Sequence, residues 1–411
     1  MGKKTGFIQR ERKKTGSGFV QALVFGMMAN PASTRQEINQ AASQAGMRLS
    51  TQGLDKRFTA KAAYFLDQIL AEAVKQMVTA VPQSQSLLSR FKGVYIGDST
   101  VIALPDALAG VFRGTTGSEA AAVKLAVQWE METGGVQMWL SDATVHDQRT
   151  GVVARQLPTG ALRLNDLGFF NLQVFDQDVQ QGRYFFSRYK GGTLIYDGAG
   201  KAVELAKRLK RQPRQAISLP IQLGAQRLAC RLIALPLEPE QVARRRERLR
   251  KTARRKQQTV SPTSLALAAW TLYVTNLSDE QLSVSEAATL GATRWQIECL
   301  FKLWKGSGLL DESRSQDPHR VWCEFYAKLL ALLLQHWLML LGCWHRLNRS
   351  LHRALQVLRK QAFAFLAVLN DIPALIHTLQ HTASVLADTC LLSKRAAHPL
   401  TFQSWIEAAL S

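Results

Sequence analysis

Between residues 94 and 190 the hydrophobic pattern changes period, and this change restricts the fold more than any other feature. VYIGD (94–98) is a short apolar run ending in an aspartate. AAVKLAVQWEMET (121–133) and VQMWLSDATVH (136–146) are strand-like runs separated only by Gly134 and Gly135, a hairpin signal. ALRLND (161–166) is another run ending in an aspartate. Gly168 then opens a helix-like stretch, FFNLQVFDQDVQQ, and RYFFSRYK (183–190) reads as a further strand. Strand, hairpin, strand, helix, strand predicts an α/β fold built on a mixed sheet.

The flanks read as helical. Residues 1–20 are basic and Gly-rich and are expected to form a loose arm; residues 21–90 are expected to form a helical N-terminal domain. Ser33 and Thr34 are N-cap candidates before RQEINQAASQ, Gly46 breaks that helix, and Ser50 or Thr51 can cap the next. Two readings fit this order: a helix-turn-helix whose second helix presents Lys56 and Arg57 to DNA, or an ordinary helical hairpin. The sheet region occupies residues 91–190. Residues 191–281 interrupt it with short strand-like runs, GTLIYD, IQLGAQRLACRLIALPL and AAWTLYVTNL. From Val284 the pattern is helical again, divided here into residues 282–345 and a C-terminal region, 346–411.

Charge narrows the partners. Among 411 residues, 52 Lys and Arg face 31 acids, a formal net charge of +21. Such a field attracts nucleic acid or an anionic membrane surface. The densest stretch is ARRRERLRKTARRK (243–256), which includes Arg245, Arg248 and Lys251 and reads as a strip for DNA phosphates. The alternative for that strip is a solvated linker. The five cysteines are scattered and form no CxxC pair, so neither a disulfide framework nor a zinc cluster is expected. No apolar run follows MGKKTGFIQRERKK, so no secretory leader is expected. Phe325 to Trp344 has the length of a bilayer span but contains Lys328, Gln335 and His336; it is read as a buried core helix.

The chemistry centres on ATRWQIECLFKLWK (292–305). On one continuous helix, Gly291, Arg294, Glu298 and Lys305 fall within about one-sixth of the circumference. The other positions are mostly apolar, Trp295 among them. A local Arg294–Glu298 pair would stabilise the helix by only a few tenths of a kcal/mol. The stripe reads better as a carboxylate flanked by two phosphate-binding cations. Asp98 and Asp166, each expected to terminate a strand, supply two further carboxylates. Three converging carboxylates require a cation, and hard oxygen donors select Mg2+ or Mn2+. Asp106, Glu130, Asp142, Asp147 and Asp197 compete for the same part, and the residues alone leave the choice open.

The Arg294, Glu298 and Lys305 spacing resembles the Tyr-Arg-Glu-Lys signature of bacterial insertion-sequence transposases of the group named for insertion sequence four. IGDST (96–100) and LNDLGFF (164–170) resemble that family's first and second aspartate motifs, in the family's order. The resemblance implies a ribonuclease-H-like core with a β-rich insertion, and Asp98, Asp166 and Glu298 as catalytic ligands of two divalent ions, Mg2+ or Mn2+. It implies that Arg294 and Lys305 hold DNA phosphates. It also implies double-stranded DNA partners, the element's terminal inverted repeats and a target. A homodimer in a synaptic complex, a bacterial cytoplasmic or nucleoid location and no membrane partner follow as well. Trp270 falls where hairpin-forming members stack a tryptophan on a flipped base; a core tryptophan is the equal alternative. One departure is plain. The signature's tyrosine position is Gly291, so its phosphate contact is missing or comes from elsewhere, and the helix is expected to begin near this glycine. A nuclease that cuts without joining and a catalytically disabled repressor are the remaining readings.

Overall fold

The computed structural model of the chain describes residues 1–8, 16–76, 78–82, 87–115, 119–346, 348–392, 404–405 and 407. Helices α1 (Gly16–Ala29), α2 (Arg35–Gln44), α3 (Thr51–Asp55) and α4 (Ala60–Lys75) precede strand β1 (Val94–Leu104). Then come β2 (Ala121–Glu130), β3 (Val136–Asp142), α5 (Gly151–Ala154), β4 (Leu162–Asn165), α6 (Leu172–Gln180) and β5 (Tyr184–Arg188). The next stretch holds β6 (Ile195–Tyr196), α7 (Leu205–Lys210), β7 (Ile217–Leu223), β8 (Leu228–Pro236), α8 (Pro239–Arg255), α9 (Pro262–Leu267) and β9 (Trp270–Thr275). Helices α10 (Val284–Thr293), α11 (Gln296–Lys302), α12 (Pro318–Gly342), α13 (Leu351–Val368) and α14 (Ile372–Thr389) follow. The chain divides into two compact units: Met1–Ser84, Ser99–Val152 and Ile297–Gln403 in the first, and Gln85–Asp98, Val153–Gln296 and Ser404–Ser411 in the second.

In the first unit α12 is buried along most of its length, including Cys323, Leu329, Leu333 and Met339. Three of its buried polar residues bond to main-chain carbonyls. Lys328 donates to Leu309 O at 2.8 Å, Gln335 to Met28 O at 3.4 Å, and a His336 ring nitrogen lies 2.7 Å from Gly134 O. Burial pushes His336 down to about 4, so it stays neutral. The segment 325–344 is thus largely a core helix, as its polar residues suggested.

The N-terminus departs from the expected arm. Phe7 packs on Phe19 and Phe65, with ring centroids 4.9 and 5.2 Å apart, and α1 buries Phe19, Leu23 and Met27. Apolar residues at these positions outweigh the basic composition; residues 9–15 of the expected arm lie outside the described residues. Thr34 caps α2 through a capping box, accepting from Glu37 N at 3.2 Å while Thr34 N donates to the Glu37 carboxylate at 2.6 Å. Ser50 caps α3, as expected, but α3 ends at Asp55. Lys56 is its C-cap and Arg57 lies beyond it, so neither rides on a full second helix. The reason is a further cap: Thr59 accepts from Ala62 N at 3.2 Å and restarts the chain as α4.

The expected hairpin is present. β2 pairs antiparallel with β3 from Val123↔Asp142 to Trp129↔Val136, and β2 borders β1. Gly134 turns it at φ +73, and a Cβ there would sit 2.3 Å from Leu340 and 2.5 Å from the Trp344 ring. β1 itself runs on to Leu104, so Asp98 lies within a strand and does not end one. Thr100, Val101 and Ile102 are β-branched and sustain the extended backbone past the aspartate.

The second unit is a mixed sheet in the order β1-β4-β5-β9-β8-β7-β6. β1, β4 and β5 are parallel, and β9, β8, β7 and β6 continue antiparallel. The single run IQLGAQRLACRLIALPL divides into β7 and β8 around Gly224 and Arg227, both with positive φ. Phe175, Phe185, Leu223, Leu232, Trp270 and Val274 form its apolar core. At the β4 end, Asp178 of α6 is fully buried between Arg163 at 2.6 Å and Arg183 at 2.8 Å. The basic stretch 243–256 lies largely on α8, which rules out a flexible linker there.

Two stability predictions follow from the hairpin. Gly134→Ala combines left-handed backbone with overlap on Leu340 and Trp344, and should cost about 2–4 kcal/mol, read as a lower denaturation midpoint. Burial and the neighbouring Glu130 raise Glu132 to about 7. A raised carboxylate stabilises the fold fully below its ordinary value of 4.5, and the contribution fades as pH rises to about 7. Glu132→Gln should therefore melt higher than wild type at pH 8, with the gap closing towards pH 4.5 in a thermal-denaturation series.

Candidate functional site

Parallel pairing of β1 with β4 runs up to the residues just before the two aspartates. β1 and β4 register as Val94↔Leu162 through Gly97↔Asn165. The buried Asn165 side chain accepts from Gly97 N at 2.9 Å, which locks this register. Asp98 and Asp166 are each the next residue after the last paired position, Gly97↔Asn165. Asp166 heads the turn Leu167–Phe169 without capping it, so its carboxylate is not consumed by local structure. Arg294 Nε lies 3.7 Å from Asp166 Oδ1.

Three of the competing acids have local structural partners. Asp147 accepts from Ser99 at 2.7 Å and Lys124 at 3.0 Å, and these partners hold its carboxyl below the usual range against the opposing effect of burial. Glu130 accepts from Glu132 N and Thr133 N, and Asp197 from Ala199 N and Lys201 N. Such turn and ion-pair roles are the ordinary fate of loop acids.

The expected continuous helix through 292–305 is not what forms. A capping box, with Ser283 accepting from Glu286 N and Glu286 returning to Ser283 N, starts α10 well before Gly291. Gly291 is therefore inside a helix and does not begin one. α10 ends at Thr293, whose hydroxyl donates back to Thr289 O at 3.0 Å, with Arg294 as the C-cap. α11 then carries Glu298 in its first turn, and a π-type turn, Leu303–Ser307, carries Lys305. The segment is therefore divided into α10, α11 and the π-type turn, with breaks at Arg294–Trp295 and after Lys302. Trp295, expected on a buried face, is 47% exposed at the first break. Glu298 is partly buried in the first unit. Lys305 Nζ donates to Val101 O at 2.6 Å. Among the described residues, no three His, Cys, Asp or Glu side chains are gathered closely enough to hold a metal ion.

On α8, Val242, Leu249 and Ala253 recur at helical spacing and turn inward. Arg245 shares that face and donates to Trp270 O at 2.6 Å; Arg246 donates to Leu265 O at 3.0 Å. Arg248 and Lys251 are exposed. Trp270 is 8% exposed within the apolar core of the second unit. It also walls a cavity of about 820 Å³ with Leu209, Val242, Arg246, Arg250 and Leu265.

Sequence reading passed over Tyr273 and Arg188, which are direct partners across β9 and β5. Strand alternation carries the signal: Trp270, Leu272 and Val274 face the apolar core, which sends Tyr273 to the other face. An ideal Cβ on Gly291 would lie 2.1 Å from the Tyr273 hydroxyl oxygen.

Comparison with known proteins gives this arrangement a family. The transposase DDE domain matches residues 89–334, a span that holds Asp98, Asp166, Glu298, Arg294 and Lys305. The chain is 28% identical over 354 residues to the transposase for insertion sequence element IS231F of Bacillus thuringiensis subsp. israelensis, covering 80% of this chain and 74% of that relative. It is 25% identical over 358 residues to the transposase for IS231B of Bacillus thuringiensis subsp. berliner, covering 81% and 75%. Against the transposase for IS1151 of Clostridium perfringens it is 24% identical over 355 residues, covering 80% and 74%. The chain belongs to the DDE-domain transposases of insertion sequences.

Proposed function

We propose that the chain binds the terminal inverted repeats of its own insertion sequence, cleaves the DNA strands at those ends and joins the freed 3′-hydroxyls to target DNA. The observation that supports this reading is that Asp98 and Asp166 each directly follow the last paired residues of the parallel strands β1 and β4. Two hard carboxylates following neighbouring strands suit Mg2+ or Mn2+, and Glu298 is the third ligand in this reading. When bound, two such ions supply an activated water or 3′-hydroxyl and neutralise charge on the transferring phosphoryl group.

The remaining residues bind and orient. Arg294, at 3.7 Å from Asp166, holds a DNA phosphate in this reading. Lys305 serves as a second phosphate cation from its turn. Arg248 and Lys251 on the outer face of α8 extend the contact along the duplex, while Arg245 acts from the inner face. Trp270, held in the core, is the candidate for base stacking only where an extruded base reaches the cavity it walls. Hairpin β2–β3 beside β1, with β4 and β5 parallel to it, supports a ribonuclease-H-like core carrying a β-rich insertion. Synapsis as a homodimer and action in the bacterial cytoplasm at the nucleoid complete the proposal.

The deciding experiment is cleavage and joining of DNA bearing the element's own ends, with and without Mg2+. Glu298→Gln keeps size and removes the charge, and should lower the rate by roughly 10²–10³-fold or more while end binding persists. Cleavage by the variant at the wild-type rate would remove Glu298 from the site, and cutting without joined products would favour a nuclease. Separately, Arg248→Ala and Lys251→Ala should each reduce the slope of log affinity against log salt by about 0.9, measured by fluorescence anisotropy on duplex DNA. An unchanged slope would place the DNA path away from α8.

A further inference from the structure

Trp405 is buried although it lies near the far end of the chain. The residue is 3% exposed, and Ser404–Ser411 belong to the second unit, whereas α14 lies in the first. A buried indole needs a partner for its N–H, which can only donate. That partner is Thr293 Oγ1 at 2.7 Å, 112 positions away in the sequence. Thr293 is itself fully buried and is the last residue of α10.

The direction of this bond decides what the Thr293 hydroxyl does. Its oxygen accepts from Trp405, and its single proton goes to Thr289 O at 3.0 Å. A threonine that bonds back to the preceding turn weakens and bends a helix. α10 ends at this residue: Arg294 is its C-cap, and Trp295 N donates to Ala292 O at 3.0 Å. α11 then starts afresh at Gln296. The relay from Trp405 through Thr293 to Thr289 thus holds the point at which Arg294 leaves α10. From there the Arg294 guanidinium reaches to 3.7 Å from Asp166. Without the indole donor the Thr293 oxygen loses a buried partner, and the hydroxyl is released to turn.

We propose that Trp405 is a positioning residue for the reaction at DNA ends: by donating to Thr293 it fixes the end of α10, so that Arg294 is presented beside Asp166. The inference rests on the proposed action on DNA ends and adds a contribution from the C-terminus to it. Trp405 acts through Thr293 and Arg294, not on the reacting atoms.

The test uses the full chain and a duplex of the element's terminus. Trp405→Phe keeps an aromatic ring without the N–H, Thr293→Val removes the hydroxyl at similar shape, and Thr293→Ser keeps it. Cleavage is read with Mg2+, and the slope of log affinity against log salt is read in EDTA by fluorescence anisotropy. Trp405→Phe and Thr293→Val should each slow cleavage by roughly 10–10²-fold, the effect of a small misplacement. Each should also flatten the salt slope towards that of Arg294→Ala, by up to about 0.9. The two combined should be no worse than either alone, and Thr293→Ser should behave as wild type. Added to Arg294→Ala, Trp405→Phe should change neither readout further, whereas a tryptophan that only stabilises the fold would act equally in both backgrounds. Wild-type rate and slope in Trp405→Phe overturn the proposal, and so does an undiminished effect when Arg294 is absent. Either result leaves end cleavage standing. If Trp405→Phe does not fold, the Thr293 variants decide, since equal behaviour of Thr293→Val and Thr293→Ser overturns the proposal. Absence of metal-dependent cutting by wild type removes the earlier reading, and the salt slopes in EDTA still decide this one. Failure of wild type to bind the terminus removes both.

Discussion

The parallel pairing of β1 with β4 is the constraint on which the site depends. It is fixed by a side chain, since Asn165 takes the Gly97 amide that the register leaves beside it. A slip of one residue would turn Asp98 to the opposite face of the sheet. The crossover from β4 to β5 is tied down just as firmly. Asp178 of α6 reaches back to Arg163 on β4 and to Arg183 before β5. Burying one carboxylate with two guanidinium groups stabilises little in net terms, because desolvation offsets the attraction. What it does is forbid other placements of α6, since any of them would strand a charge in the interior.

Much of this was legible from residue patterns, and the failures share a cause. The hairpin, the strand before Asp166 and the capped starts of α2 and α3 rest on local signals: alternation, glycines and capping side chains. The Asp98 strand was read too short because an aspartate looks like punctuation, whereas Thr100, Val101 and Ile102 carry the strand onward. Residues 1–8 and 16–20 were read as loose because their charge hid Phe7 and Phe19, whose partner Phe65 is distant in sequence. The helix around Glu298 was drawn as one piece because apolar spacing says nothing of Ser283 capping upstream or of a π-type turn downstream. The partnership of Tyr273 with Gly291 could not be read at all, for it joins a strand to a helix through space.

Helix α12 shows how composition misleads in the other direction. Its length and apolar content suit a bilayer, yet Lys328, Gln335 and His336 find main-chain carbonyl partners within the protein. Those bonds come from Leu309, Met28 and Gly134, three places far apart in the chain. The helix thereby acts as a hub that holds the N-terminal helix, the hairpin turn and the segment after the π-type turn in register with one another.

The overlap between Gly291 and the Tyr273 hydroxyl has an evolutionary consequence. Only one of the two positions can carry a bulky side chain at a time. A side chain at 291 would require the Tyr273 phenol to shift from its present place. The positions should therefore be inherited as a pair, and a tyrosine grafted at 291 alone would be rejected by the phenol already there.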